Sequence, residues 1–80
     1  YPNPFNPSTI INFQLGQLSS VSLKIYDLNG HLIETLIRNE IFTAGSYNYN
    51  FNGSHLASGV YFYELKIDES RINKKMLLIK

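Results

Sequence analysis

Short runs of alternating apolar and polar residues dominate the chain, and turn-forming residues separate them. A period of two is typical of a strand that buries one face, and β-branched and aromatic residues are enriched in such runs. The runs are residues 11–15, 21–25, 32–37, 47–51, 60–67 and 76–79. Nothing in the chain shows a sustained helical period. The pattern therefore predicts an all-β protein of six short strands.

Turn chemistry fits between these runs. Residues 27–30 read Asp-Leu-Asn-Gly, a strong turn signal because Asn and Gly tolerate a positive φ. We expect a second break over residues 39–46, centred on 43–46, and further turns around Gly53, Gly59 and residues 68–70. Residues 16–20 form a short connection that fits either a hairpin or a corner between two sheets.

Six closely spaced strands with intervening turns predict a two-sheet antiparallel sandwich. Alternation assigns one set of side chains to the inner faces of the two sheets. That set is Ile11, Phe13, Leu15, Val21, Leu23, Ile25, Tyr47, Tyr49, Phe51, Tyr61, Tyr63, Leu65 and Ile67.

All three prolines of the chain lie in its first seven residues, at Pro2, Pro4 and Pro7. Each fixes φ near −65°, lacks a backbone N–H and steers the preceding residue toward extended conformations. We therefore expect residues 1–8 to be an extended lead-in that attaches the domain to a longer polypeptide. Residues 9–80 would form the sandwich itself.

The charge balance is nearly neutral but unevenly distributed. Seven basic and six acidic residues give a net charge of +1, which argues against a general nucleic-acid binder. Arg71, Lys74, Lys75 and Lys80 fall in residues 71–80, which contain no acid. This cluster fits a solvated edge strand that lysines protect from unwanted pairing. The alternative is a docking surface for an acidic partner.

Little in the sequence indicates catalysis, a cofactor or a metal. The chain has no cysteine, and its two histidines, His31 and His55, are isolated from each other. Ser54 and His55 are neighbours in a loop, which does not make a nucleophile–base pair with an orienting acid. No apolar run approaches the ~20 residues that span a bilayer. We therefore predict a non-enzymatic domain without cofactor, metal or transmembrane segment.

Two turn segments resemble sites for other chemistry. Asp27-x-Asn29-Gly30 is similar to the start of a calcium-binding loop, but its later ligand positions would fall in a predicted strand. The Asn-Gly-Ser run at residues 52–54 matches a glycosylation sequon. In both cases the residues are also good turn formers, and we favour a turn.

The aromatic residues allow two interpretations. Tyr47 and Tyr49 share one strand face, and Tyr61 and Tyr63 share another. Exposed and coplanar, such rings would form a platform for sugar binding; buried, they fill the core. The scarcity of other large residues in these strands favours the core.

Taken in order, several segments resemble a known family. They are residues 1–11 (YPNPFNPSTII), Val21-x-Leu23-x-Ile25-Tyr26-Asp27-x-x-Gly30, Ala44-Gly45, residues 58–63 (SGVYFY) and Lys75-Met76-x-Leu78-x-Lys80. This order closely resembles the type A C-terminal sorting domain of the type IX (Por) secretion system, over essentially the whole chain. Immunoglobulin-like domains of flagellar hook-capping proteins share its middle part. Phe51 stands where the family usually has tryptophan.

The resemblance implies a fold and a function. The fold would be a small immunoglobulin-like sandwich of six to seven antiparallel strands at the C-terminus of a larger secreted protein. That protein would come from the Bacteroidetes or related bacteria and enter the periplasm by an N-terminal signal peptide. The domain would direct this cargo through the type IX outer-membrane translocon. A cell-surface sortase removes the domain from many such proteins and anchors the cargo to lipopolysaccharide, whereas other cargo is released.

The resemblance also implies roles for particular residues. Lys74, Lys75, Met76, Leu78 and Lys80 would carry the sorting signal. The linker signature would be Pro2, Asn3, Pro4, Phe5, Asn6 and Pro7, and the turn signature Asp27, Gly30, Gly45, Gly53 and Gly59. The competing functions are a structural immunoglobulin-like module and a carbohydrate-binding module of an extracellular enzyme.

Overall fold

The computed structural model describes residues 8–79, and every regular element in that range is a β-strand. The strands are β1 (Ser8–Leu15), β2 (Ser19–Asp27), β3 (Leu32–Phe42), β4 (Gly45–Asn52), β5 (Gly59–Ile67) and β6 (Ser70–Leu78). The predicted all-β class is confirmed. The lead-in signature at residues 2–7 and Lys80 lie outside the described residues.

The strands form two antiparallel sheets. One contains β1 and β4, and the other has the order β3-β2-β5-β6. The predicted two-sheet antiparallel sandwich is therefore confirmed. The chain passes from the smaller to the larger sheet between β1 and β2, so the connection at residues 16–18 is a corner between sheets rather than a hairpin. Tight hairpins join β2 to β3 and β5 to β6 within the larger sheet.

One apolar cluster lies between the sheets. Its buried members are Ile11, Phe13, Leu15, Val21, Leu23, Ile25, Ile37, Phe51, Tyr61, Leu65, Met76 and Leu78. All the side chains predicted to face inward belong to this cluster or, for Tyr47, Tyr49, Tyr63 and Ile67, pack half-buried against it. The alternation missed three buried residues, namely Ile37, Met76 and Leu78.

The bounds of β3 and β6 differ most from the sequence prediction. The expected break over residues 39–46 is much shorter, because β3 continues to Phe42 and only residues 43–44 separate it from β4. The turn-like residue Asn39 lies instead within β3, with a φ of 47°. The last strand was predicted at residues 76–79 but begins at Ser70. Its first six residues are exposed, so no apolar alternation marks them.

A similar corner begins both β4 and β5. In each, a glycine precedes a tyrosine by two residues, and the tyrosine hydroxyl donates to a backbone carbonyl four residues upstream. Tyr47 Oη donates to Thr43 O at 2.7 Å, and Tyr61 Oη donates to Ala57 O at 2.8 Å. Gly45 and Gly59 have φ values of 150° and 158°, which side-chain-bearing residues rarely adopt. These two signature glycines therefore allow the chain to enter each sheet.

Leu78→Ala tests the contribution of β6 to the core. Leu78 is 2% exposed, so its truncation leaves a cavity and should lower the free energy of unfolding by about 2–5 kcal/mol. Leu77→Ala is the matched control, because Leu77 is 63% exposed and should change stability by less than about 0.5 kcal/mol. Urea unfolding measures both. Equal losses of stability in the two variants would contradict a β6 strand in which Leu78 faces the core and Leu77 faces the solvent.

Tyr61→Phe tests the corner at β5. The half-buried hydroxyl bond to Ala57 should contribute about 1 kcal/mol to the free energy of unfolding. Tyr47→Phe should cost less, because the corresponding bond to Thr43 is exposed to water. Chemical denaturation of both variants checks this order. An unchanged midpoint for Tyr61→Phe would mean that the hydroxyl bond does not stabilise the corner.

Candidate functional site

β6 is an edge strand of the larger sheet. It pairs with β5 through nine consecutive residue pairs, from Ser70↔Ile67 to Leu78↔Gly59, without a register shift. Within residues 8–79 no strand pairs with its other side. We call that side the β6 edge. An edge with regular geometry presents backbone N–H and C=O groups to which another strand can bond.

The opposite edge of the same sheet, β3, is irregular. Its pairing with β2 contains three register shifts. At one of them Asn39 adopts a positive φ, and its backbone N–H donates to Ser22 Oγ at 3.1 Å. The Ser22 hydroxyl in turn donates to Asn39 Oδ1 at 2.8 Å. Bulges of this kind twist an edge away from further pairing, so β3 is a poorer template for an added strand than β6.

The register separates the predicted sorting residues. Met76 lies opposite Tyr61 and faces the core, where Met76 and Leu78 are 8% and 2% exposed. Lys74, opposite Tyr63, projects from the inner face, whereas Lys75, opposite Phe62, projects from the outer face. Both lysines are exposed. A partner can therefore reach Lys74 and Lys75, while Met76 and Leu78 support the strand from inside.

Sequence reasoning overlooked cations in the middle of the chain. Lys24, Arg38 and Lys66 lie with Arg71 around one groove on the outer face of the larger sheet. Lys24 and Lys66 occupy polar positions of strands whose apolar positions were predicted to face inward. The alternation therefore already indicated that both lysines project from the outer face. That these strands are neighbours could not be known from the sequence.

The carboxylate of Asp27 organises the β2–β3 turn. It accepts the backbone N–H of Asn29 at 2.9 Å and that of His31 at 2.8 Å. Its Oδ2 lies 3.2 Å from Nδ1 of the His31 ring. The His31 N–H is the main cause that lowers the pKa of Asp27, with a smaller opposing effect of desolvation. Gly30 completes the turn with a φ of 85°. The turn interpretation of this segment is confirmed.

The loop between β4 and β5 is also held by local hydrogen bonds. Ser54 N–H donates to Asn52 Oδ1 at 2.9 Å, and Leu56 N–H donates to Gly53 O at 2.9 Å. His55 Nε2 lies 3.0 Å from Glu34 Oε1. His55 therefore connects the loop to β3 rather than orienting toward the neighbouring serine.

Residues 8–79 contain no group of three or more His, Cys, Asp or Glu side chains arranged to hold a metal ion. Over the same range, no helix has the length and apolar character needed to cross a membrane.

The tyrosines do not form an exposed platform. Tyr47 stacks on Phe13 with ring centroids 5.4 Å apart, and the rings of Tyr47 and Phe42 pack edge to face. Tyr61 is buried, and Tyr49 and Tyr63 are half-buried against the core. The sugar-binding alternative required at least two of these four rings to be exposed and coplanar. The structure places them in and around the core instead.

Comparison with known proteins gives one match. A family model described as "Secretion system C-terminal sorting domain" matches residues 1–80, the whole chain. Neither the curated proteins nor the solved structures yielded a match.

Asp27→Asn tests the turn through its pH dependence. The native pKa of Asp27 is lowered, so the ionised carboxylate stabilises the fold above its unfolded pKa of about 4, and this contribution is lost as pH falls through the native pKa. The variant should be less stable near neutral pH and should lose less stability on acidification. Urea unfolding at neutral and acidic pH measures the difference. If the variant and the unmodified protein lost the same free energy of unfolding on acidification, the stabilising role of the Asp27 charge would be contradicted.

Proposed function

The chain belongs to the family of C-terminal sorting domains of the type IX secretion system. On this basis we propose that it directs the export of an upstream cargo protein. A sorting domain of this family is a signal for type IX secretion and is generally non-catalytic. The cargo reaches the medium or the cell surface after crossing the outer membrane. The lead-in attaches the sorting domain to the cargo, and the folded part of the domain begins with β1 at Ser8.

The translocon recognises the sorting domain by pairing a strand of its own with the β6 edge. The contrast between the two edges of the larger sheet carries this proposal. β6 runs in regular register over nine pairs, whereas bulges interrupt β3. Strand addition supplies affinity through main-chain hydrogen bonds, so one edge can serve for many different cargoes.

Charge sets the orientation of the added strand. Lys74 and Lys75 project to opposite faces of β6, so an acidic partner strand meets a cation on either side of the sheet. Complementary charges mainly accelerate association and fix register, and lysines on an edge also discourage wrong pairing. After export, a cell-surface sortase cleaves upstream of Tyr1 in some proteins and anchors the cargo to lipopolysaccharide.

Fusion of residues 1–80 to a fluorescent protein with a signal peptide tests export directly. In a bacterium with a working type IX system, fluorescence should appear at the cell surface or in the medium. It should stay in the periplasm of a strain without the translocon. Retention of the intact, folded fusion in both strains would favour a structural module instead.

Lys74→Gln/Lys75→Gln tests recognition at the β6 edge. Truncating the last residues would not isolate recognition, since Met76 and Leu78 are buried and their loss would unfold the domain. The double substitution leaves the core intact and should lower the rate of export severalfold, because it removes electrostatic guidance.

Glu40→Gln/Glu69→Gln is the control for this experiment. It also removes two exposed charges, but outside β6, and it should leave export unchanged. Secretion of the fluorescent fusion, normalised to its folded periplasmic pool, is the measurement. Normal export of the lysine variant would rule out charge recognition at this edge.

A further inference from the structure

A shallow groove of about 450 Å³ crosses the outer face of the larger sheet. All four of its strands contribute to the lining. The cations are Lys24 of β2, Arg38 of β3, Lys66 of β5 and Arg71 of β6. The groove lies on the face of the larger sheet that points away from the core, and it is distinct from the β6 edge.

The cations are held close together by register. Lys66 and Arg71 are directly opposite each other in the β5–β6 ladder, and Lys24 lies on the neighbouring strand. Like charges directly opposite each other destabilise a sheet. The Lys66–Arg71 pair therefore costs stability in the free domain. Glu64, which lies opposite Lys24 in the β2–β5 ladder and 3.7 Å from Arg71, offsets part of this cost, and a bound anion would offset more.

Few acids offset these charges. Among the described residues that line the groove, Glu64 is the one carboxylate, and Arg71 Nη1 lies 3.7 Å from its Oε2. Asp68 and Glu69 lie beyond Lys66 at one end of the sheet, and Asp27 lies at the other end. The positive region of the groove is thus short and has acids near both ends, and Lys75 projects from the same face near the Asp27 end.

From this geometry we propose that the groove binds a short acidic segment of a partner protein. Arg38 and Arg71 offer planar donor forks to carboxylates, and Lys24 and Lys66 add point charges. Tyr26 and Leu32 also line the groove, and Leu32 is 52% exposed, so apolar side chains gain contacts as well. A long anionic polymer would be repelled by the acidic side chains at the two ends of the groove. A peptide in which acidic and apolar residues alternate matches the short, mixed surface.

Titration of isotope-labelled residues 1–80 with a synthetic peptide tests this binding by NMR. The probe is a short peptide of alternating glutamate and valine, and its glutamine counterpart is the control ligand. Amide shifts should concentrate around Lys24, Lys66 and Arg71, and binding should weaken as salt rises. The assay is independent of export, so its result and that of the fusion experiment can be judged separately.

Lys66→Gln and Lys66→Arg form a matched pair of variants. Both replace the same lysine of the groove, but arginine keeps the positive charge that glutamine removes. Lys66→Gln should weaken peptide binding roughly twofold to fivefold, as expected for a solvent-accessible ion pair. It should not lower the stability of the free domain, because it relieves the repulsion with Arg71. Lys66→Arg should bind the peptide about as well as the unmodified chain.

Several outcomes would overturn the proposal. These are shifts centred on another surface, equal binding of the glutamine peptide, or equal losses in the two variants. Binding of heparin without binding of the acidic peptide would assign the groove to anionic polysaccharides instead. Should Lys66→Gln fail to fold, as judged from its amide spectrum, a comparison of Arg71→Gln with Arg71→Lys serves the same purpose.

Discussion

Packing between the inner faces of the two sheets is the interaction on which the rest of this molecule depends. The chain has no cysteine, and each ion pair within residues 8–79 has at least one solvent-exposed side chain. The buried apolar cluster therefore supplies most of the stability. Val21, Leu23 and Ile25 are the most deeply buried residues of β2. Because these alternate positions must face inward, the residues between them must face outward. The core thereby also fixes which charges reach the surface and on which side.

Local patterns in the sequence predicted the parts of the structure that depend on local physics. Alternation identified the buried faces of β1, β2 and β5, and the Asp-Leu-Asn-Gly run identified the turn that Asp27 organises. The bulge at Asn39 was mistaken for part of a loop, because its hydrogen bonds go to Ser22 on another strand. The polar start of β6 was invisible for a similar reason, since its pairing with β5 rather than its own composition makes it a strand.

The surfaces were harder to predict than the core. The sequence located the cations of residues 71–80, and the resemblance gave them a role. Only the pairing with β5 shows that Lys74 and Lys75 lie in a strand, with Lys74 on the inner face and Lys75 on the outer face. The meeting of Lys66 with Arg71 likewise depends on how two strands align. Pairing between strands distant in the chain, such as β1 with β4 or β2 with β5, leaves no trace in a single sequence.

β6 contributes both an exposed edge and buried side chains, and this combination determines which copies of the domain a receptor can bind. The strand that offers the regular edge also inserts Met76 and Leu78 into the core, so the edge acquires its geometry only when the sandwich is closed. A receptor that binds this edge gains affinity only for the closed form, and by mass action its binding stabilises that form further. Copies without a closed core would present no such edge. If a receptor binds this edge, as we propose, one binding event would depend both on the integrity of the core and on the exposed strand.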